Sequence, residues 1–263
     1  MQNYFYASGG LFFIFFMTSL GSATVFFFRK KVPDKMQQIF LGFAAGVMIA
    51  ASIWSLLIPA IEMSEAVNRP GWIPAGGGFI LGCLFIYVLD LLIPHLHPFT
   101  NIQEGLSSKS KRTTLLISAV TLHNIPEGMA VGLAFALATQ NGGSPEMYAP
   151  AIALALGIGI QNFPEGAAIS LPLRQEGVSL GKAFLLGSMS GIVEPVFGFL
   201  AILLAFWIAP IMPWMLSFAA GAMIYVVVEE LIPEASLSKH SHSGTIGVIL
   251  GFVLMMILDV ALG

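Results

Sequence analysis

The sequence predicts an all-α membrane protein with eight transmembrane helices. Of its 263 residues, 57% are hydrophobic and only 10% are charged, whereas soluble domains carry about 25% charged residues. Eight apolar segments each approach or exceed the length of about 20 residues that a helix needs to cross a bilayer. The mean hydropathy of +0.87 agrees. This composition excludes a soluble enzyme, a nucleic-acid binder and a disordered chain.

We predict a single integral membrane domain over residues 1–263. The predicted spans, in chain order, are 8–28, 38–60, 75–94, 114–138, 150–173, 183–209, 213–233 and 245–262. No Lys or Arg precedes the first segment, so we interpret it as a true span and not as a cleaved signal peptide. The single cysteine, Cys83, excludes a disulfide framework and a cysteine-rich metal site.

The basic residues predict the orientation of the chain. Ten of the eleven Lys and Arg residues follow the first, third, fifth or seventh span, and only Arg69 falls on the opposite side. Basic loops stay in the cytoplasm. Both termini are therefore expected on the extracytoplasmic side.

Two sets of spans carry an internal repeat. In span two, Phe43–Ile49 reads FAAGVMI, and in span seven Phe218–Ile224 reads FAAGAMI. Spans three and eight share the triplet found at Ile80–Gly82 and Ile249–Gly251. Spans one to three are therefore predicted to recur, in the opposite direction, as spans six to eight, which gives a 3+2+3 arrangement. Inverted repeats are typical of alternating-access transporters with a site near the midplane.

Spans four and five share a second repeat, in which residues 123–128 read HNIPEG and residues 161–166 read QNFPEG. The first residue and the glutamate of each copy are four residues apart, so they stack on one face of a helix. The proline removes a backbone donor and frees a carbonyl inside the membrane. Each copy therefore presents polar ligand-type groups on one helix face, next to a kink.

Three glutamates lie near the centres of predicted spans, namely Glu127, Glu165 and Glu194. An acidic residue at the centre of a bilayer costs about 2.5–3.5 kcal/mol on insertion scales, and no basic residue lies inside a predicted span to offset it. Protons or a bound cation must therefore compensate. The neighbouring His123 favours a metal, and a set of carboxylate, imidazole and amide ligands suits a borderline divalent ion such as Zn²⁺.

The paired Pro-Glu-Gly motifs, the eight spans and the inverted repeat resemble the ZIP (Zrt/Irt-like) family of divalent metal transporters, in particular its bacterial GufA-like branch. The resemblance implies a transporter and not an enzyme. It implies uptake of Zn²⁺ into the cytoplasm, with Cd²⁺, Fe²⁺ or Mn²⁺ as alternative cargo, and no organic cofactor. It also implies elevator-type movement, a homodimer in the lipid bilayer of the bacterial inner (plasma) membrane, and no nucleic-acid partner.

The resemblance further implies a binuclear metal site at the midplane. The residues implied at the first metal are Met48, His123, Glu127, Gln161 and Glu165. Those implied at the second metal are Asn124, Asn162 and Glu194, with Glu127 and Glu165 bridging. The residues implied along the pathway are Ser55 and Glu62 at the outer entrance and Glu229 and Glu230 at the inner exit. Many family members have His where this chain has Gln161, whose amide oxygen is a harder ligand than imidazole.

Two alternatives share the same polar motifs. An intramembrane metal-dependent enzyme could use the i, i+4 pair of His123 and Glu127, but the sequence contains no H-E-x-x-H motif of the kind that a zinc protease needs. A metal-gated channel would need the site but no alternating access. Saturable, slow flux would indicate a carrier, and near-ohmic conduction would indicate a channel.

Overall fold

The computed structural model describes residues 2–27, 33–92, 95–96, 103–104, 112–140, 144–175, 177–235 and 242–262. Almost all of this part of the chain is helical. The helices, in chain order, are α1 (Gln2–Ser22), α2 (Asp34–Ala51), α3 (Ile58–Glu65), α4 (Trp72–Leu92), α5 (Arg112–Gln140), α6 (Ala149–Gln175), α7 (Leu180–Ser190), α8 (Val193–Ile208), α9 (Met212–Val226), α10 (Ile232–Ala235) and α11 (Ser243–Leu262). The predicted all-α class is confirmed.

Seven helical segments in the described part of the chain are long and apolar enough to cross a membrane. They correspond to all the predicted spans except the fourth. That span lies within α5, which has 29 residues and is therefore long enough to cross. Its polar HNIPEG motif lowers the hydropathy of the helix, because these residues replace apolar ones at its middle.

Three predicted spans are interrupted helices. A π-helical turn, Ser52–Leu57, joins α2 to α3, and a second one, Val227–Leu231, joins α9 to α10. Each π turn is followed by an Ile-Pro pair at the start of the next helix, where proline removes one backbone donor and prevents regular helical pairing. The sixth predicted span is broken between α7 and α8 at residues 191–192. Hydropathy predicts each of these spans as a single helix, and the structure corrects that prediction.

Helices α2 and α11 pack with their backbones in contact. A Cβ atom added at Gly46 would collide with the carbonyl oxygen of Val248, and one added at Gly251 would collide with the carbonyl oxygen of Phe43. Glycine is therefore required for this approach. Small residues serve the same purpose in other membrane helix pairs, where association depends on close packing and not on the hydrophobic effect.

Helices α4 and α9 repeat this contact with the matching residues. A Cβ atom at Gly221 would collide with the carbonyl oxygen of Phe79, and one at Gly82 would collide with that of Phe218. Gly221 matches Gly46 in the sequence repeat, and Gly82 matches Gly251. The two helix pairs are therefore built on the same glycine contacts.

Helices α1 and α6 form a third close pair, and α5 and α8 form a fourth. A Cβ atom at Gly166 of α6 would collide with the carbonyl oxygen of Thr18 in α1. The matching glycine of α5, Gly128, would collide with the carbonyl oxygen of Glu194 in α8. These two pairs position the HNIPEG and QNFPEG motifs. The described residues also include three short 3-10 helices, Ala23–Phe26, Pro145–Tyr148 and Ala209–Ile211, and a two-residue antiparallel pairing of β1 (His95–Leu96) with β2 (Gln103–Glu104).

Candidate metal site

The two Pro-Glu-Gly motifs lie in the middle of α5 and α6, deep inside the helix bundle. Asn124, Glu127, Gln161 and Asn162 have no exposed surface, and neither has Glu194 at the start of α8. Glu165 is partly exposed. Five amide and carboxyl side chains are thus buried in the middle of the bundle, and such residues mark functional sites in membranes.

The two motifs contact each other directly. The side-chain amide of Gln161 donates a hydrogen bond from Nε2 to Oε1 of Glu127, at 2.7 Å. Asn162, the next residue along α6, donates from Nδ2 to Oε2 of Glu194, at 2.8 Å. The QNFPEG motif, which includes Glu165, therefore bonds to both Glu127 and Glu194. Carboxylates held around one buried motif would favour a bound cation.

The two asparagines use their amide groups in matching ways. Asn124 donates from Nδ2 to the carbonyl oxygen of Ser190, at 3.2 Å. Asn162 donates from Nδ2 to the carbonyl oxygen of Ile14, at 3.3 Å, and also to Oε2 of Glu194, at 2.8 Å. Each asparagine therefore ties its motif to the main chain of the partner helix, α7 for Asn124 and α1 for Asn162.

Glu194 is held through both carboxylate oxygens. Asn162 donates to Oε2, and the hydroxyl of Thr18 lies 3.2 Å from Oε1 as the second donor. Glu194 also lies in the first turn of α8, at the end of a helix where the helix dipole favours a negative charge. The break between α7 and α8 therefore creates a helix N-terminus next to the motifs.

Among the described side chains, buried oxygen atoms of Asn124 and Glu127 in one motif, and of Gln161 and Asn162 in the other, accept no hydrogen bond. They are Oδ1 of Asn124, Oε2 of Glu127, Oε1 of Gln161 and Oδ1 of Asn162. In each of the three amides the nitrogen is used as a donor elsewhere, which leaves the oxygen as the free group. A buried acceptor without a partner costs about 1–3 kcal/mol. A cation would satisfy these oxygens, since amide and carboxylate oxygens are common metal ligands.

Met48 and His123 are the other two residues implied at the metals, and the structure describes the side chain of only the first. Met48 is fully buried in the main apolar core, and its carbonyl oxygen accepts a hydrogen bond from Ser52. The backbone of His123 lies in α5, but its side chain is outside the described residues. Among the described side chains, no three His, Cys, Asp or Glu form a group that could hold an ion by themselves. The described part of the site is therefore a mixture of amides and carboxylates.

The pathway residues lie in the two π-helical regions and in α3. Ser55 is buried, and its hydroxyl donates to Oδ1 of Asp259 in α11, at 2.6 Å. Glu62 and Glu229 are exposed, whereas Glu230 is buried. The structure thus separates the neighbouring Glu229 and Glu230, since only one of the two faces inward.

Sequence reasoning did not identify Thr18 or Asp259 as candidate functional residues. Thr18 lies on a long and largely apolar helix, and its hydroxyl reaches the carboxylate of Glu194. Asp259 accepts a hydrogen bond from Ser55, a residue of the predicted outer entrance. Polar residues in the middle of a span are a usable signal. Neither residue belongs to the HNIPEG or QNFPEG motif, however, and their partners lie far away in the sequence.

Comparisons with known proteins identify relatives over most of the chain. Residues 5–114 and 100–259 match the family model described as ZIP Zinc transporter. The chain is 39% identical to zinc transporter ZIP11 of Homo sapiens, over 100% of the chain and 98% of that protein. It is 37% identical to zinc transporter GufA of Myxococcus xanthus, over 94% of both chains. It is also 37% identical to zinc transporter ZIPB of Bordetella bronchiseptica, over 95% of the chain and 79% of that protein.

Proposed function

We propose that this chain, which belongs to the ZIP zinc transporter family, carries zinc into the cytoplasm through the polar cluster between α5, α6 and α8. Members of this family are metal transporters and not enzymes, and the helices of the chain place it in a membrane. The relatives named above are zinc transporters, which supports zinc as the cargo. The observation that carries the proposal is the set of buried oxygen atoms in the two motifs that, among the described side chains, accept no hydrogen bond.

These oxygens belong to groups that fit a divalent cation. Buried polar groups are almost always hydrogen-bonded, so these unpaired acceptors need an explanation. Water could donate hydrogen bonds to these oxygens, but water would not neutralise the nearby glutamates. A divalent cation would satisfy the oxygens and also neutralise the glutamates. We therefore assign Glu127, Glu165 and Glu194 as the charged ligands and the amides as neutral ones.

The ligand set divides into two metal positions. The first would use Met48 and the first and fifth residues of each motif, which are His123, Glu127, Gln161 and Glu165. The second would use Asn124, Asn162 and Glu194, bridged by Glu127 and Glu165. Glu194 already accepts two hydrogen bonds, but each carboxylate oxygen has a further lone pair for a metal.

The proposed mechanism is alternating access by an elevator-type movement. Its support is that repeat-related residues make the same contacts, since α2 packs on α11 as α9 packs on α4, and α1 packs on α6 as α8 packs on α5. These contacts are those expected of an inverted 3+2+3 arrangement with its site between the two halves. We propose that the whole chain is one membrane unit and forms a homodimer in a bacterial plasma membrane.

The proposed direction of transport is inward, in a chain whose two termini are proposed to be extracytoplasmic. Zinc would enter past Ser55 and Glu62 and leave past Glu229 and Glu230. The buried bond between Ser55 and Asp259 brings a hydroxyl and a carboxylate together, on what we propose to be the entrance side. These oxygens could receive an ion before it reaches the glutamates.

The test is metal uptake by purified protein in liposomes, measured for Zn²⁺, Cd²⁺, Fe²⁺ and Mn²⁺. We expect saturable, slow Zn²⁺ uptake that Glu127→Gln abolishes, because the neutral amide removes a ligand charge while keeping the shape. Glu146→Gln is the matched control, since Glu146 is exposed and lies outside the cluster. Near-ohmic flux would instead identify a channel. Uptake that Glu127→Gln leaves unchanged would contradict the site.

A further inference from the structure

We propose that Thr18 is a positioning residue for the metal site, because its hydroxyl fixes the carboxylate of Glu194 in the orientation that the metal requires. This inference rests on the proposed zinc transport. Thr18 lies on α1, outside the two Pro-Glu-Gly motifs. It would set both the affinity of the site and its choice among divalent ions.

The hydroxyl of Thr18 is part of a two-sided clamp on Glu194. Oγ1 of Thr18 lies 3.2 Å from Oε1 of the glutamate, and Nδ2 of Asn162 lies 2.8 Å from Oε2. Both donors are completely buried. One comes from α1 and the other from α6, so the carboxylate is fixed between two different helices and cannot rotate without losing one of the two bonds.

The hydroxyl has one proton and two possible acceptors. Its oxygen also lies 3.3 Å from the carbonyl oxygen of Ile14, the back-bond that threonine often makes inside a helix. Hydrogen bonds to a charged acceptor are about twice as strong as those to a neutral one. When Glu194 is ionised, as metal binding requires, the proton of Thr18 is therefore directed at the carboxylate.

The break between α7 and α8 leaves room for this contact. A Cβ atom added at Gly191 would lie 2.9 Å from Cβ and Cγ2 of Thr18 and 3.0 Å from its Oγ1. A larger residue at this point would push α1 away. Gly191 thus allows Thr18 to reach Glu194, three residues further along the chain.

Thr18 also occupies the position that corresponds to Glu194 in the other half of the site. Asn162 donates to the carbonyl oxygen of Ile14, four residues before Thr18. Asn124 donates to that of Ser190, four residues before Glu194. Thr18 and Glu194 are therefore equivalent positions that meet at the centre, one supplying a hydroxyl and the other the charge.

A clamped carboxylate affects selectivity as well as affinity. With both oxygens held by donors, Glu194 offers its remaining lone pairs in one fixed arrangement, and a fixed arrangement distinguishes ions by size and preferred geometry. Without the hydroxyl, the carboxylate could turn to suit a larger ion. Loss of the hydroxyl should thus weaken Zn²⁺ binding more than Mn²⁺ binding.

The experiment compares Thr18→Val, which keeps the shape but loses the hydroxyl, with Thr18→Ser, which keeps the hydroxyl. Zn²⁺ and Mn²⁺ binding to the purified proteins is titrated against a competing chelator dye. We expect Thr18→Val to bind Zn²⁺ about tenfold more weakly, as the loss of a hydrogen bond to a charged group predicts, and Thr18→Ser to retain most of the affinity. The matched control is Thr139→Val, because the hydroxyl of Thr139 makes the same back-bond to a carbonyl, that of Phe135, away from the glutamates.

The same pair of variants is then made in a Glu194→Gln background, with folding checked by gel filtration and melting temperature. If Thr18 acts through the carboxylate, Thr18→Val should have little further effect on Zn²⁺ binding there, whereas a packing effect would be as large as in the native background. An equal loss in both backgrounds, or native affinity in Thr18→Val, would overturn the inference. Absence of Zn²⁺ binding by the unaltered protein would instead refute the proposed function. Thr18→Ala provides a second hydroxyl-free variant if the valine protein does not fold.

Discussion

The two halves of the candidate site share one framework and differ in the groups that it presents. In the half made by α1 and α6, Asn162 bonds to the main chain of α1, and Gly166 allows the two helices to touch. In the half made by α5 with α7 and α8, Asn124 bonds to the main chain of α7, and Gly128 allows the same approach to α8. The asparagine and glycine of each motif therefore serve to hold helices together.

The halves differ at two matching pairs of positions. Thr18 lies within a continuous helix, whereas Glu194 lies at the start of a helix that follows a break. His123 begins one motif and Gln161 the other. The two halves thus have the same helix contacts but different charges and different ligand types. This difference indicates that backbone contacts set the arrangement of the helices, whereas a few side chains set the metal-binding chemistry.

Removing the charge from one half has the largest expected effect. Glu165→Ala should reduce Zn²⁺ uptake by more than about 100-fold, since even residues that only support metal ligands contribute 10–100-fold and Glu165 is proposed to bridge both metals. Uptake into liposomes is compared with that of Glu146→Ala, an exposed acid. Normal uptake by Glu165→Ala, at equal protein content, would contradict the proposed ligand set.

Disturbing the shared framework should affect the two halves equally. Gly128→Ala and Gly166→Ala each place a Cβ atom against a backbone carbonyl of the facing helix, and overpacking of this kind costs about 1–3 kcal/mol. We expect both variants to lower the melting temperature in detergent by a similar amount. Gly9→Ala serves as the control, because nothing lies within 4 Å of a Cβ atom at Gly9. A loss confined to one of the two variants would mean that the halves are not equivalent.

Exchanging the residues at positions 18 and 194 tests whether the two halves of the site are equivalent. Glu194→Thr should weaken Zn²⁺ binding strongly, because the charge is lost. Adding Thr18→Glu in the same protein returns a carboxylate to the matching position, within reach of the same partner helices. We expect the double variant to bind Zn²⁺ about tenfold more tightly than Glu194→Thr. No recovery in a folded double variant would argue against a shared framework.

Making the two motifs alike should have the smallest effect. Gln161→His replaces an amide with the imidazole that begins the other motif, and imidazole favours Zn²⁺ over harder ions such as Mn²⁺. We expect KM for Zn²⁺ to fall by a few-fold, with an equal or lower maximal rate because release is slower. Uptake of both ions is measured side by side. An unchanged Zn²⁺/Mn²⁺ preference would count against Gln161 as a ligand.

Most of the fold could be predicted from hydropathy, because the bilayer dictates the length and the apolar character of each span. Predicted and observed ends differ by a few residues at most sites, as for 150–173 against α6, Ala149–Gln175. The interruptions could not be predicted in this way. A π turn or a helix break changes the backbone without changing the hydropathy, and only the nearby prolines and Gly191 hint at them.

The polar motifs could also be found in the sequence, since charged residues stand out among apolar ones. Their hydrogen-bond partners could not. Two of these partners are the carbonyl oxygens of Ile14 and Ser190, which every residue type carries, so no sequence pattern marks them. Thr18 could be seen as a polar residue but not assigned, because its contact with Glu194 depends on how α1 and α8 pack.

The use of carbonyl oxygens as acceptors bears on how such a protein can change over evolutionary time. Ile14 and Ser190 differ completely in chemistry, yet each accepts the same bond from an asparagine. A mutation at either position alters the side chain but leaves the acceptor in place. After a gene duplication, the two copies could therefore drift apart at these sites under weak selection, while the asparagines and glycines that face them stayed constrained. The symmetry of the duplicated repeat would then persist in the hydrogen bonds and packing contacts after the sequence similarity had been lost.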